Sequence, residues 1–501
     1  MLHRPTSVLL VLAFAASSQA RAQCTTSWST NLFGAGADGV VTGVWSDDWL
    51  APTVVGRFTT FGSAAANRIA QWDGSSWQAL GTGLNGDALA IKRLANGDFV
   101  VGGTFTQAGG VTVNSVARWN GSSWSALGNG IDQQAIFGAS VQAIAVLQNG
   151  DLVAAGGFSG ASGAAAANIA RWNGSSWSAV GGGCNGPVRG LAVAPNGDLY
   201  ATGSFSSAGG VACAGIARWN GTNWSALGAG LGLFGGQAVV AGPNGEVFVG
   251  GSFVTAGGLA ANRVARWSGG AWSALGAGIS GPVTALALHP NGGLVCAGTF
   301  ATAGGVTANN VALWSGSTWQ AFDAGVGGGA AAVAILPDGS VAVGGDFTSA
   351  SGTAANRIVR RVSSCAPTLT ATGAGCAGQG GVPSLFVTNS PVLGATFRSR
   401  CTNLPPFSIV LGVLGLAPTA LPLAIALPQA GAGCTLYANP DVVDAIVPVA
   451  GAASYALAIP NLPALVGTSL HHQYVPLAFD LSFSLVGASA SNAVQANVGN
   501  F

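Results

Sequence analysis

Residues 188–228 read VRGLAVAPNGDLYATGSFSSAGGVACAGIARWNGTNWSALG, and this stretch decides the fold. VRGLAVA is a short apolar run, PNG a turn, DLYATGSF an alternating segment, SSAGGVACAG a loop, IARW a second short apolar run, NG another turn, and TNWSALG the close of the unit. No helix-length window escapes a Gly or turn signal, so the reading is four short strands joined by two tight turns and two longer connections. In order, the strands are called a (VRGLAVA), b (ending in G-x-F), c (IARW) and d (Trp-Ser-Ala-Leu).

The unit recurs. G-x-F ends at Phe58, Phe105, Phe158, Phe205, Phe253, Phe300 and Phe347, spaced by 47, 53, 47, 48, 47 and 47 residues. Six Trp pairs follow, from Trp72/Trp77 to Trp314/Trp319. A four-stranded unit repeated at this period is the signature of a propeller blade. The N-terminal TSWSTNLFGAG (26–36) matches strand d, and the last repeat stops at NRIVRRV (356–362), which matches strand c. Each strand type therefore occurs seven times. The expected fold is an all-β, seven-bladed propeller over 23–365, closed by one blade shared between the chain ends and followed by a β-sandwich-like module over 366–501. Closure removes the free sheet edges that invite aggregation. Small residues such as those of TALAL (284–288) place strand a innermost, and Trp places d at the rim.

The recurring GG-x-F, AGG and RWNGSSW phrases resemble kelch-like bacterial surface propellers and the fungal family of cortical markers for cell polarity. The resemblance covers about residues 24–365 and implies a secreted or surface-exposed propeller without naming a ligand. The NGSSW and DGSSW hairpins are loosely similar to the Asp-box turn of sialidases, which is structural in that family. Beyond Cys365 Trp disappears and Pro becomes frequent. There, GAGCAGQGG (373–381), GAGCTLY (431–437) and ALAIPNLPALVG (456–467) resemble a C-terminal module of secreted planctomycete-type proteins.

Residues 1–22 read as a signal peptide: a basic start, an apolar stretch over 8–18 too short to span a bilayer, and the small-x-small site Ala20-Arg21-Ala22. The segment around Cys24 lacks a lipobox. Residues 407–427 are apolar, but Pro418 and Pro422 interrupt them, so strands rather than a membrane span are expected. Charged residues are 7% of the chain, 17 Lys and Arg against 16 Asp and Glu, with no basic run. Nucleic acid is thereby excluded as a partner. The partner class that remains is an extracellular glycan or an envelope protein, bound by a secreted or cell-surface monomer.

Eight cysteines in an exported chain predict disulfides. The register that sets Trp119 opposite Trp124 also sets Cys24 opposite Cys365. Cys184 and Cys213 lie on loops of one face and are expected to pair, as are Cys376 and Cys434. Cys296 reads as a buried free thiol, and Cys401 is left without an assigned partner. Arg118, Arg171, Arg218 and Arg266 precede Trp at one place in four of the units, where packing with backbone hydrogen bonds explains them better than an anion-binding ring. Asn120, Asn173 and Asn220 match glycosylation sequons but sit in Asn-Gly hairpin turns. Asp98, Asp151, Asp198 and Glu246 read as turn residues rather than calcium ligands. His471 and His472 should face opposite sides of a strand, one partly buried and one exposed.

No catalytic set or cofactor site stands out. The propeller has one Glu (Glu246), one Tyr (Tyr200) and one His (His289), too few for a sialidase-like or copper-oxidase site. The reading is a non-catalytic binding or adhesion protein, with a structural envelope component and, behind it, a polysaccharide hydrolase as alternatives. Binding is expected on the face carrying the variable d-to-a and b-to-c connections. The longest, GNGIDQQAIFGAS (128–140), brings Asp132, Gln133, Gln134 and Phe137. Another brings Leu231, Leu233 and Phe234.

Overall fold

The computed structural model describes residues 26–30, 36–46, 52–132, 139–232, 234–363, 368–378, 381–393, 395–431, 433–449, 451–460, 465–480 and 482–499. Cys24 and Cys365 fall outside them. The chain divides into two compact units, Ser27–Leu336 with Ser340–Val362, and Ser363–Phe501 with Pro337–Gly339.

Among the described residues, the first unit holds seven four-stranded antiparallel sheets. In the stretch quoted above, a is Val188–Val193, b Leu199–Gly203, c Ile216–Trp219 and d Trp224–Ala226. Strand b is buried from end to end because it is interior to its sheet and covered on both faces. The sheet of Ala330–Ile335, Val341–Gly345 and Ile358–Ser363 takes Thr26–Ser29 as its fourth strand. Strands a lie at one edge and pack against the a strands of neighbouring sheets. Val41–Trp45 packs in this way on Ala88–Arg93 and also on Ala330–Ile335.

Two side chains per sheet do most of the packing. The Phe of each G-x-F is buried, from Phe58 to Phe347. The Trp of strand d is buried in six of the sheets and half-buried at Trp28, and its indole N–H crosses to the preceding sheet. Trp124 Nε1 donates to Leu80 O, Trp177 to Leu127 O, Trp224 to Val180 O, Trp272 to Leu227 O and Trp319 to Leu275 O, all within 2.7–3.0 Å. Trp28 Nε1 reaches Phe322 O at 3.4 Å. A buried indole needs such an acceptor. Trp119 does stand opposite Trp124, with the rings 5.2 Å apart.

The segment SSAGGVACAG is not a plain loop. Ser207–Ala208 and Val211–Ala212 form a second small hairpin. Gly209 (φ 53°) and Gly210 (φ 81°) supply the left-handed pair that a type I′ turn requires.

In the second unit, the strands Thr368–Gly373, Ala493–Asn497, Ser469–Phe479, Ser408–Gly415 and Val442–Ile446 neighbour one another in that order, and Leu485–Ala488 adds to Ser469–Phe479. A three-stranded sheet of Ser384–Asn389, Thr396–Thr402 and Ala453–Ala458 shares a core with it through Phe397, Tyr455, Val410, Leu414 and Tyr474. Residues 407–427 form the strands Ser408–Gly415 and Pro418–Pro422 and a short 3-10 turn. Among the described residues no helix is long and apolar enough to cross a membrane.

Candidate functional site

In a four-stranded antiparallel unit the a-to-b and c-to-d turns leave one end of the sheet, and the b-to-c and d-to-a connections leave the other. The first end is self-contained. Asn120 Oδ1 accepts from Ser122 N at 3.0 Å and Ser123 N at 2.8 Å, and Asn173 and Asn220 repeat the arrangement. At the second end each d-to-a connection lays one apolar residue beside the small hairpin, as in Leu84 on Ala108, Cys184 on Ala208 and Ile279 on Ala303. The next side chain then takes the hairpin's backbone N–H groups. Asp38 Oδ1 accepts from Thr59 N at 2.8 Å and Thr60 N at 3.0 Å, and Asn85, Asn185 and Ser280 act alike. Burial opposes the charge on Asp38, but these bonds outweigh it and lower its pKa to about 2.

Asp132 occupies that same position. Its Oδ2 accepts from Gly163 N at 2.9 Å, so the scaffold already uses this carboxylate, which the sequence marked as a ligand group. Gln133, Gln134 and Phe137 lie outside the described residues. Phe234 is 76% exposed and holds φ at 78°, a backbone state costly for a bulky side chain.

The cysteine expectations divide. Cys376 and Cys434 are joined. Cys184 and Cys213 are not: both are buried free thiols in one apolar cluster. They fill core positions that other repeats give to Leu84, Leu231 and Ile279, and to Val113, Ala261 and Ala308. Burial pushes the Cys184 thiol up to about 12, with neighbouring Cys213 adding to it. Cys296 is buried and free, and Cys401 likewise.

The Arg residues before Trp do not bond backbone, contrary to expectation. They hold the acid that follows the a-to-b turn of the same sheet. Arg118 Nε meets Asp98 Oδ2 at 2.5 Å, Arg171 meets Asp151 at 2.6 Å and Arg218 meets Asp198 at 2.7 Å. Arg360 bonds Ser340 Oγ at 2.6 Å. The signal was present within the chain, since the repeat with Gly293 in place of the acid has Leu313 in place of the arginine. The exception is Arg266, whose guanidinium lies over the Phe248 ring.

One irregularity appears in all seven a–b pairs. The register slips near the start of strand a, leaving Thr42, Leu89, Gln142, Arg189, Gln237, Thr284 and Ala331 as bulged positions. A bulge re-aims its side chain. Thr42 Oγ1 reaches Ala88 O in the next sheet at 2.6 Å, and Thr284 Oγ1 reaches Ala330 O at 2.7 Å. These positions lie at the loop-bearing end of strand a, closest to where the a strands meet. Between the fifth and sixth sheets that end also carries a cavity of about 310 Å³ lined by Asn262, Arg263, Ile279, Ser280 and Thr302.

Residues 336–360, spanning the a-to-b turn, strand b and the start of strand c in one repeat, match a β-propeller domain family of unknown function, DUF5122. The first unit has a β-propeller fold. Among solved structures the chain is similar to the WD40 β-propeller domain of Doa1 (14% identity, 67% of this chain and 97% of that one, TM-score 0.43). It is also similar to YCF48 bound to D1 peptide (16%, 68% and 96%, TM-score 0.42). A third similarity is to the extracellular domain of BT4673, a proposed one-component system of B. thetaiotaomicron (9%, 92% and 75%, TM-score 0.20). No curated protein matches the chain.

Outside the propeller sheets, the second unit holds a polar cluster that sequence reasoning missed. His471 and His472 are both buried, not one in and one out, because both faces of Ser469–Phe479 are covered. His472 Nδ1 donates to Val413 O at 2.9 Å, which leaves Nε2 to accept from Ser399 Oγ at 2.8 Å. Ser399 Oγ also lies 2.8 Å from the Tyr474 hydroxyl. A Ser–His contact suggests a nucleophile, but Ser399 is 2% and His472 0% exposed, so no substrate reaches it. Burial lowers the His472 pKa to about 4, the Val413 bond only partly offsetting it. The unfolded imidazole titrates near 6.5. The neutral ring's contribution is therefore complete above pH 6.5 and is lost as pH falls toward 4, by on the order of 3 kcal/mol. Denaturant unfolding of the second unit at pH 7 and pH 4 should reveal that loss, and His472→Asn should flatten it.

Proposed function

We propose that this chain is a non-catalytic extracellular or cell-surface binding protein. In this reading a signal peptide (1–22) directs export, and residues 23–365 form a seven-bladed propeller closed by sharing one blade between the chain ends. The sandwich-like module over 366–501 follows. The propeller presents its loop-bearing face to a glycan or to an envelope protein.

The observation that carries the reading is Phe234. Around it the connections on this face spend their polar side chains on the scaffold, as Asn185 and Ser280 do. Phe234 instead presents its ring to solvent from a left-handed backbone position. Strain of this kind persists where the surrounding structure enforces it, commonly at ligand sites. Rigid scaffolds carrying variable loops with an apolar platform and a few polar groups are suited to recognition.

The test is binding of the exported protein to extracellular polysaccharides and envelope fractions, with hydrolysis followed in the same samples. Replacing Gln133, Gln134 and Phe137 together with Ala, or Phe234 with Ala, should weaken binding about tenfold or more while leaving the melting temperature unchanged. Unchanged affinity in both variants would move the site off this face. A structural envelope role is favoured by one further observation. The second unit exposes Phe407, Phe483, Ile425, Val447 and Val449, each at 70% or more.

A further inference from the structure

Of the seven bulged positions on strands a, three consecutive ones are amide, arginine, amide: Gln142, Arg189 and Gln237. Their strands, Ser140–Val146, Val188–Val193 and Gly236–Ala241, pack side by side. The two amides are steadied by hydroxyls. Gln237 Nε2 donates to Ser252 Oγ at 3.0 Å and Gln142 Nε2 to Ser140 Oγ at 3.4 Å. Arg189 differs from both. It is exposed and makes neither an ion pair nor a hydrogen bond among the described residues, whereas Arg118, Arg171 and Arg218 are each matched to an acid.

Phe234 is next to this arc. Its neighbour Gly235 abuts Gly203, where an added Cβ would lie 2.0 Å from Gly203 O. Gly203 in turn pairs with Val188, the residue before Arg189. Gly190, the residue after it, lies against the backbone of Gln237, its Cβ position 3.0 Å from Gln237 O. The backbone positions that carry Arg189, Gln237 and Phe234 are therefore neighbours at the loop-bearing end of two adjacent a strands.

We infer that Arg189, with Gln142, Gln237 and Phe234, forms a subsite for a carboxylated sugar within an acidic polysaccharide. The inference rests on the binding reading above and names its ligand class. A guanidinium pairs with a carboxylate through two parallel N–H bonds. Amides suit ring hydroxyls, and an exposed Phe offers a flat apolar surface to the C–H face of a pyranose. A single cation among neutral polar groups fits one carboxylate per sugar ring, whereas an acidic peptide strand would call for several.

Tetragalacturonate and its methyl ester, titrated into the mature full chain by calorimetry, test this assignment. The free acid should bind, and the ester at least tenfold more weakly. Arg189→Ala should lose tenfold or more toward the acid, and Arg189→Lys should recover part of it, with the melting temperature unchanged in both. Equal binding of acid and ester, or unaltered binding by Arg189→Ala, would overturn the carboxylate assignment. If tetragalacturonate fails to bind while a neutral glycan or an envelope protein does so on the loop-bearing face, the ligand class falls and the binding function stands. If neither oligosaccharide nor any polysaccharide or envelope fraction binds, both fall.

Discussion

Removing residues 24–34 should unfold or aggregate the propeller well below the melting temperature of the intact chain. Thr26–Ser29 is the fourth strand of the sheet whose other three strands lie at 330–363. Trp28 packs against the core of that sheet, its ring 6.0 Å from Phe322, and Arg361 covers the same Phe322 ring at 4.3 Å. Losing the strand withdraws the partly buried Trp28 ring from the core of that sheet. It also bares the backbone of Ile358–Ser363 as a free edge. Thermal unfolding with light scattering is the measurement. A truncated chain that melts like the full one and stays monomeric would refute closure through the termini.

Trp224→Ala should cost about 3–5 kcal/mol, whereas Trp224→Phe should cost only about 1–2 kcal/mol. The alanine variant empties a buried site between two sheets. The phenylalanine variant keeps most of the packing but leaves Val180 O without its donor. Trp177 meets Leu127 O in the same way, so the pair of substitutions should give the same ordering there. Denaturant midpoints compared at constant m-value would check both, and a phenylalanine variant as damaged as the alanine one would show that the hydrogen bond, not the packing, governs the site.

The strands and their grouping were legible because short apolar runs are cut at regular intervals by turns that require Gly, Asn and Pro. The period of 47 residues then made seven local readings agree. What escaped were pairings across strands. Asp98 and Arg118 are 20 residues apart and meet only once strands b and c are in register. Reading them singly assigned each to backbone or turn. Cys184 and Cys213 looked like a disulfide because sequence places both on the same face, but equivalence with Leu84 and Val113 marks them as core fillers. His471 and His472 were assigned opposite faces correctly. The error lay in assuming that one face of Ser469–Phe479 meets water, when Leu436 and Ala438 cover one side and Phe397 and Tyr455 the other. Arg189 was invisible as a candidate because the bulge that distinguishes it changes register without changing composition.

The sheet built from both chain ends has a consequence for timing. A chain emerging N-terminus first presents Trp28 at the outset, yet the carbonyl that receives its indole, on Phe322, arrives 294 residues later. Every other fourth strand has its own sheet's third strand just before it. Six sheets can thus assemble in order as they appear, while the earliest strand waits with its Trp28 ring uncovered for the last. Contacts of such long sequence separation are slow to form, and chains waiting for them are prone to pair with the wrong partner. Folding of this propeller should therefore end where its synthesis began, and its most vulnerable interval is the one before Ile358–Ser363 arrives.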